Sequence, residues 1–138
     1  RNGLALVPDD QEGVEGFHDG VRPFVAAETI DRCFEAARED YAALPVMPVT
    51  DTLRFTGGSS AGRNVPRSDY RIVQTPQVFD IALAKQAFRQ PYRDAFTDDA
   101  SVVESLGCQV RMVEGNRENI KLTTPFDLQL ADFIIKQQ

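Results

Sequence analysis

Short apolar segments alternate in this chain with segments of helical period, and this alternation restricts the possible folds more than any other feature. Ala42 to Val49 is an apolar run of strand length, and Cys108 to Val113 alternates apolar and polar side chains with a period of two. Arg71 to Val73 is a further strand candidate. Glu28 to Asp40 instead places its apolar residues on one helical stripe. Strands that alternate with helices predict an α/β layered domain with a mainly parallel sheet.

Three further helices are predicted from signals at their ends. Asp80 can cap a helix that carries apolar residues in the following turns. Thr97, followed by two aspartates, opens another helix, which Gly107 is suited to close in a left-handed conformation. Thr124 and Pro125 combine a hydroxyl cap with a proline at the first helical position, so they predict the start of the last helix.

Composition limits the class of protein. The chain has 138 residues, of which 42% are hydrophobic and 26% charged, as expected for a single globular domain spanning 1–138. Its net charge of −6 disfavours a nucleic-acid-binding protein. No apolar run is long enough to cross a membrane and no secretion signal is visible, so we expect a cytoplasmic protein without a membrane partner. Cys33 and Cys108 have no metal or redox spacing, and we interpret both as free core thiols.

The segment between Thr50 and Arg71 departs from the alternating pattern. Its centre, Gly57 to Gly62, is rich in glycine and serine, and short extended stretches flank it. Neither a lysine followed by serine or threonine nor a helix signal follows these glycines, so a phosphate-binding loop is disfavoured. The pattern predicts a projecting hairpin with a mobile tip.

Charged residues concentrate after a possible strand in the sequence from His18 to Pro23. Asp19 could hold Mg²⁺, and Arg22 could bind a phosphate through two hydrogen bonds. A local Asp–Arg pair that fixes a turn explains the same residues equally well. His18 is interpreted as a turn or packing residue, since no paired nucleophile is in view.

Three other polar clusters are weak signals when taken one at a time. Pro48 to Thr52 and Gln74 to Phe79 contain ordinary turn residues. The third cluster joins Phe96 to Ala100 with Asn119 to Pro125, where Lys121 stands in a short apolar frame. Without further context, a solvated lysine at the end of a strand is slightly favoured for Lys121 over a ligand-binding role.

In this order and spacing, the clusters resemble the 2-C-methyl-D-erythritol 4-phosphate cytidylyltransferases. In that family HDxxRP, PVxDT, an arginine before QTPQxF, FTDDAxxxE and NIKxTxPxDLxxA follow one another, as they do here from about Asn2 to Ile134. The ribitol 5-phosphate cytidylyltransferases share the first, third and last of these motifs. The run from Phe96 to Glu104 is more similar to the methylerythritol enzymes.

The resemblance implies a fold and a reaction. The fold is a partial Rossmann-like nucleotidyltransferase domain with helices on both faces of the sheet and residues 50–71 as a β-hairpin arm. The reaction transfers CMP from CTP to a sugar-alcohol phosphate with Mg²⁺, giving CDP-methylerythritol and pyrophosphate for isoprenoid precursor synthesis. The arm implies a homodimer, in which it serves the partner subunit's acceptor site.

The resemblance also implies roles for individual residues. Lys121 matches the lysine that stabilises the α-phosphate, and Asp19 matches the carboxylate near Mg²⁺ and the acceptor hydroxyls. Arg63 and Arg71 are alternatives to the arm arginine that best fits the spacing. The residues that match acceptor-binding positions are Arg22, Thr52, Arg67 and Thr97.

Two features depart from the family pattern. The start at Arg1 looks like a point well inside such a protein, and the glycine-rich loop and lysine that grip CTP are not found in this sequence. We therefore expect the carboxyl-terminal part of the enzyme, with little activity on its own; a catalytically silent dimerisation module is the alternative. The segment from Gly13 to Phe17 has few β-branched residues, so the strand expected there is weak.

Overall fold

The structure is a computed structural model that describes residues 2–137, apart from the side chain of Ser60. Helices and strands alternate along it, as the sequence predicted. Its strands are β1 (Val14–Phe17), β2 (Ala42–Pro48), β3 (Leu53–Arg54), β4 (Asn64–Val65), β5 (Arg71–Val73), β6 (Gln77–Asp80) and β7 (Arg111–Glu114). Its α-helices are α1 (Ala27–Asp40), α2 (Ile81–Phe88), α3 (Asp99–Glu104) and α4 (Pro125–Ile135).

The main sheet is built around β2. β7 pairs with β2 in parallel, whereas β5 and β6 pair with it in antiparallel fashion. β1 pairs with β6, also antiparallel, and therefore runs in the same direction as β2 and β7. The predicted α/β class is confirmed, and the sheet is mixed: three strands point one way and the line of β5 and β6 runs against them.

The antiparallel line is interrupted between β5 and β6. Val73 lies opposite Val46, and Val78 lies opposite Ala43, so the intervening residues exceed those of β2 by two. The extra length leaves the sheet as a bulge over residues 74–76, while the Gln74 backbone N–H still donates to the Pro45 carbonyl at 2.9 Å. Such a bulge redirects side chains away from the regular alternation of a strand.

Helices cover both faces of the sheet, as the resemblance implied. On one face, Ala43 and Val78 pack against Cys33 and its neighbours on α1. On the other face, Leu44 and Phe79 join a larger core with α2 and α3. Alternate residues of β2 and β6 thus face opposite layers, because successive side chains of a strand point to opposite sides.

Most predicted element boundaries agree with the structure, but one strand starts later than predicted. The period of two predicted a strand from Cys108 to Val113, whereas β7 covers Arg111–Glu114. Pairing begins with Ala43 opposite Arg111, close to the start of β2. By this register Cys108 and Gln109 lie beyond the start of β2, and Val110 stands opposite Ala42, the first residue of β2, without pairing with it. The weak strand predicted near Gly13 to Phe17 does form, as β1.

The helix caps follow the sequence with a shift of one residue at α3. Asp80 accepts a hydrogen bond from the Leu83 backbone N–H at 2.9 Å, and Thr124 caps α4 in a reciprocal pair with Asp127. The cap of α3 is Asp98, whereas Thr97 was predicted to open this helix. The carboxylate of Asp98 reaches the free N–H of the third helical residue, which the preceding threonine does not.

The predicted arm is a short hairpin that leaves the main sheet. β3 and β4 pair over two residues each, and the guanidinium of Arg63 stacks on the Phe55 ring at 5.0 Å. Gly62 adopts φ +83°, a conformation that glycine accepts without strain, and its N–H donates to the Phe55 carbonyl at 2.7 Å.

The last helix, α4, leaves most of its apolar side chains in contact with solvent. Ala131 is its one buried residue. Its exposed apolar residues are Phe126, Leu128, Leu130, Phe133 and Ile135. Neither α4 nor any other helix within residues 2–137 is long and apolar enough to cross a membrane.

Candidate active site

The site lies where β1 and β7 end. β1 ends at Phe17, so His18 and Asp19 follow directly, and β7 ends at Glu114 ahead of the segment that carries Lys121. These two strands run in the same direction, and the carboxyl ends of parallel strands meet at one edge of a sheet. Residues about a hundred positions apart in sequence are brought together in this way.

Three charged residues meet at this edge. The Oδ2 atom of Asp19 lies 3.0 Å from Nε of Arg22 and 3.2 Å from Nζ of Lys121. Arg22 also donates through Nη1 to the Asn119 carbonyl at 2.8 Å. The structure thus joins the first and last sequence motifs, and it assembles three of the six predicted site residues in one cluster.

The cations determine the protonation of Asp19. Partial burial acts to raise the pKa of this carboxyl, but the hydrogen bonds and positive charges of Arg22 and Lys121 outweigh burial and lower it. Asp19 is therefore ionised at neutral pH. The cluster carries one negative and two positive charges, which leaves a net positive charge for an anionic ligand.

Arg22 and Lys121 differ in how firmly they are held. The Arg22 side chain is 12% exposed and bonded on two sides, whereas the Lys121 side chain is 49% exposed. A half-exposed ammonium group on a flexible stem can turn from Asp19 to an incoming phosphate. Arg22 is a fixed donor, and Lys121 is the cation able to follow the ligand.

His18 has a structural position, as predicted. Its Nε2 atom lies 3.0 Å from the Arg22 carbonyl, which can only accept, so Nε2 carries the proton. Its Nδ1 atom then accepts from the Thr75 hydroxyl at 2.9 Å. The Thr75 hydroxyl in turn accepts from the Asp19 backbone N–H at 3.0 Å. Both ring nitrogens are used to fix the turn that carries Asp19.

Sequence reasoning gave no role to Thr75, Gln74 or Asn119. These residues support the cluster through hydrogen bonds to the backbone and side chains of its members and their neighbours. Gln74 and Asn119 are buried, and the Gln74 amide donates to the Asn119 carbonyl at 3.1 Å. Gln74 and Thr75 reach the site because they occupy the bulge between β5 and β6. Their motifs were recognised from the sequence, but the bulge that directs them inward has no sequence signal of its own.

Thr97, a predicted acceptor-binding residue, lies on the exposed loop before α3. Gln77 of β6 ties this loop to the sheet, donating to Asp98 at 2.9 Å and accepting from the Ala100 N–H at 2.7 Å. The pKa of Asp99 is raised by burial first, then by the charge of Asp98, with a smaller contribution from Asp19. The charge of Asp19 thus acts on this loop, although Thr97 makes no direct bond to the cluster.

Thr52 and Arg67 lie apart from the cluster, on the arm. Both are exposed, and Arg67 donates to the Thr50 carbonyl at the base of the arm. Arg71, one of its alternatives, instead bonds the carbonyls of Ser68 and Tyr70 at 2.8 Å. Within the described chain neither predicted arm residue joins Asp19, so a role in acceptor binding remains a prediction for both.

An open cavity of about 440 Å³ adjoins the cluster. Its wall combines cations with apolar and amide side chains, a composition suited to an anion that carries a carbon skeleton. Lining residues include Arg22, Lys121, Arg117, Asn119, Met47 and Ile72.

The side chains around Asp19 suit a metal ion that is held jointly by the protein and a bound substrate. They do not suit a metal ion that is enclosed by protein ligands alone. Residues 2–137 contain no group of three or more histidine, cysteine, aspartate or glutamate side chains placed to hold a metal ion. The Oδ2 atom of Asp19 contacts both Arg22 and Lys121. Its Oδ1 atom accepts no hydrogen bond from the described residues. Mg²⁺ is often held by one or two carboxylates together with substrate phosphates, and a single free oxygen fits that pattern.

Comparison with known proteins identifies the family. Residues 1–137 match the family described as IspD: 2-C-methyl-D-erythritol 4-phosphate cytidylyltransferase. The chain belongs to this family. The IspD resemblance seen in the sequence motifs is thereby confirmed over nearly the whole chain.

Individual IspD proteins support this assignment. The chain is 56% identical over 135 residues to the 2-C-methyl-D-erythritol 4-phosphate cytidylyltransferase of Phocaeicola vulgatus, covering 98% of this chain and 60% of the relative. It is 54% identical to that of Bacteroides fragilis, with the same coverage. The crystal structure of the Thermus thermophilus enzyme superposes with a TM-score of 0.79 at 42% identity, covering 89% of this chain and 62% of that one.

The chain spans about 60% of the length of these curated IspD relatives. The matched region is their carboxyl-terminal part. The cluster of Asp19, Arg22 and Lys121 lies within that part of the IspD domain.

Proposed function

We propose that this chain carries the acceptor site of an enzyme that transfers CMP from CTP to 2-C-methyl-D-erythritol 4-phosphate. The observation that supports this most is the meeting of Lys121 and Arg22 on Asp19 at the carboxyl ends of parallel strands. Family membership supplies the reaction class, and the positive cluster beside a cavity fits its anionic substrates. The products would be CDP-methylerythritol and pyrophosphate.

The chemistry is a phosphoryl-group displacement. A phosphate oxygen of the acceptor forms a bond to the α-phosphorus of CTP, and the bond from that phosphorus to the pyrophosphate oxygen breaks, with the electron pair leaving on pyrophosphate. Negative charge accumulates on the oxygens around the α-phosphorus. Groups that are already positioned to meet this charge lower the barrier, because no reorganisation is needed during the reaction.

The described side chains suit distinct tasks in this reaction. Arg22, fixed and nearly buried, would hold the acceptor phosphate. Lys121, half exposed, would leave Asp19 and stabilise charge at the α-phosphate. Asp19 would accept hydrogen bonds from acceptor hydroxyls through the oxygen that the two cations leave free.

A magnesium ion is part of this proposal. Asp19 is the residue of this chain that would contact it, together with substrate phosphates. When bound, Mg²⁺ would neutralise phosphate charge and orient the reacting groups.

The arm supports a second element of the proposal, a homodimer. Thr52 and Arg67 lie on an exposed hairpin and, among the described residues, form no bond with Asp19, Arg22 or Lys121 of their own chain, so a partner subunit's site is a suitable place for them to act. Dimerisation through residues 50–71 would complete the acceptor site with residues of a second copy.

Pyrophosphate release tests the proposed function. A fusion protein that places the amino-terminal part of the Phocaeicola vulgatus relative before residue 1 is assayed with CTP, Mg²⁺ and 2-C-methyl-D-erythritol 4-phosphate, and the 138-residue chain alone serves as the background control. We expect acceptor-dependent release from the fusion protein. Equal or faster release with ribitol 5-phosphate would favour the sister family, and no release with either acceptor would favour a silent dimerisation module.

A further inference from the structure

The segment that carries Lys121 has no regular secondary structure. It runs from the end of β7 at Glu114 to the start of α4 at Pro125. A catalytic group on such a segment keeps its position only if other groups hold the backbone. Near Lys121 the backbone is held by a bond from Leu122 N–H to the Val21 carbonyl at 2.9 Å and by the contacts of Asn119.

Asn119 is the residue of this segment that bonds both Arg22 and Thr75. Its side chain is fully buried, and its Nδ2 atom donates to the Thr75 carbonyl at 2.8 Å. Its own carbonyl accepts from Arg22 at 2.8 Å and from Gln74 at 3.1 Å. Asn119 therefore bonds the bulge of the sheet and the fixed arginine. It also stands two positions before Lys121 in the chain.

We propose that Asn119 is a positioning residue that sets where Arg22 and Lys121 stand relative to Asp19. It reaches Asp19 by two routes. Arg22 lies between the Asn119 carbonyl and the Asp19 carboxylate, and Thr75 binds the Asn119 amide through its carbonyl and the Asp19 N–H through its hydroxyl. The effect of Asn119 on turnover rests on the proposed function, whereas the effect of Asn119 on the position of Arg22 does not.

The unused oxygen of Asn119 indicates that the residue is more than a space filler. Its Oδ1 atom is buried and has no hydrogen-bond partner among the described residues. An unpaired buried acceptor costs stability, so packing alone would favour an apolar side chain here. The amide is explained by its Nδ2 donor, which bonds the Thr75 carbonyl in the bulge.

The Arg22 Nε–H group donates to Asp19 at 3.0 Å, so it reports in the chain itself how firmly Arg22 is held against Asp19. Its solvent exchange can be followed in ¹H–¹⁵N spectra. We expect Asn119→Ala to speed this exchange by roughly tenfold or more, because the side-chain bond to Thr75 that anchors this backbone is lost and the Gln74 amide alone then holds the carbonyl. Unchanged exchange in a folded Asn119→Ala protein would overturn the proposal.

Asn116→Ala is the matched control. Asn116 lies in the same segment, but its side chain bonds Ala26 N–H at 3.0 Å and the Phe24 carbonyl at 2.9 Å, near the start of α1. The Asn116 carbonyl also accepts from the Gln74 amide at 2.9 Å and from the Asn119 N–H at 3.2 Å, so we expect Asn116→Ala to accelerate Arg22 exchange less than Asn119→Ala does. Equal acceleration in both variants would show general loosening and would also overturn the proposal.

Two further measurements separate the possible outcomes. If Asn119→Ala does not fold, Gln74→Ala removes the amide that holds the same carbonyl and should accelerate Arg22 exchange; no acceleration counts against positioning. In the fusion protein, Asn119→Ala should lower kcat at least tenfold at a Tm no lower than that of Asn116→Ala. A fusion protein without activity would contradict the proposed function while the exchange experiment still decides the role of Asn119.

Discussion

The Nζ atom of Lys121 lies 3.2 Å from Oδ2 of Asp19, although 101 positions separate the two residues (121 − 19 − 1). Arg22 contacts the same oxygen at 3.0 Å. An exposed lysine paired with a carboxylate contributes little to stability, so the pairing is better explained by ligand binding than by folding.

Replacing Lys121 tests its proposed role at the α-phosphate. We expect Lys121→Ala in the fusion protein to lower kcat by about 10²–10³-fold, the usual effect of losing one charge donor to the transition state, with little change in Tm. Lys136→Ala, at an exposed lysine just after α4, is the control and should keep full turnover. Turnover within twofold of the unmodified protein would remove Lys121 from the mechanism.

Replacing Arg67 tests the arm. Because Arg67 is predicted to bind the acceptor in the partner subunit's site, Arg67→Ala should raise the acceptor KM by roughly tenfold with a smaller effect on kcat. Arg63→Ala and Arg71→Ala are the matched variants, and a larger KM effect in either would reassign the role. In mixed dimers of Arg67→Ala with Lys121→Ala, one site should regain both residues and with them the acceptor KM of the unmodified protein. No recovery would argue against action across the interface.

Glu15 provides a prediction on stability. Its Oε1 atom is buried without a hydrogen-bond partner among the described residues, and burial raises the pKa of this carboxyl above its ordinary value of 4.5, against a smaller opposing effect of Lys85. A raised pKa in the folded state means that the carboxyl contributes to stability below its ordinary pKa and loses this contribution as pH rises through the raised value. At pH 7 the charge is therefore a cost.

Glu15→Gln should remove that cost. We expect Tm at pH 7 to rise and the difference to vanish near pH 4, where the carboxyl is protonated in both states. Glu12→Gln, at an exposed position, should leave Tm unchanged. Calorimetric scans at both pH values decide, and a lower Tm for Glu15→Gln at pH 7 would show that the carboxylate has a favourable partner.

Local sequence patterns predicted most of the fold because they reflect local physics. The stripe from Glu28 to Asp40 became α1, and Asp80 and Thr124 cap helices as their side chains allow. The late start of β7 was not predictable, because it depends on where β2 begins and not on the alternation of β7 itself. Strand ends are set by the partner strand, which a local pattern does not contain.

The site was predicted in part for a similar reason. Motif resemblance named Asp19, Arg22 and Lys121, and the parallel direction of β1 and β7 brings them together. Thr75 and Asn119 were missed as supports because their roles arise from a bulge between β5 and β6 and from a segment without regular structure. Such contacts link distant residues through backbone atoms, and side-chain identity alone gives no sign of them.

The central claim is that Asp19, Arg22 and Lys121 form one substrate site, in which Arg22 holds the acceptor phosphate. It is tested most directly by titrating the ¹⁵N-labelled chain with 2-C-methyl-D-erythritol 4-phosphate and mapping the shifted amide resonances. We predict the largest shifts at residues 19–22 and 119–122. The affinity obtained from the titration should fall at least tenfold in Arg22→Ala and stay unchanged in Arg93→Ala. Shifts centred elsewhere, or none at millimolar ligand, would contradict the claim.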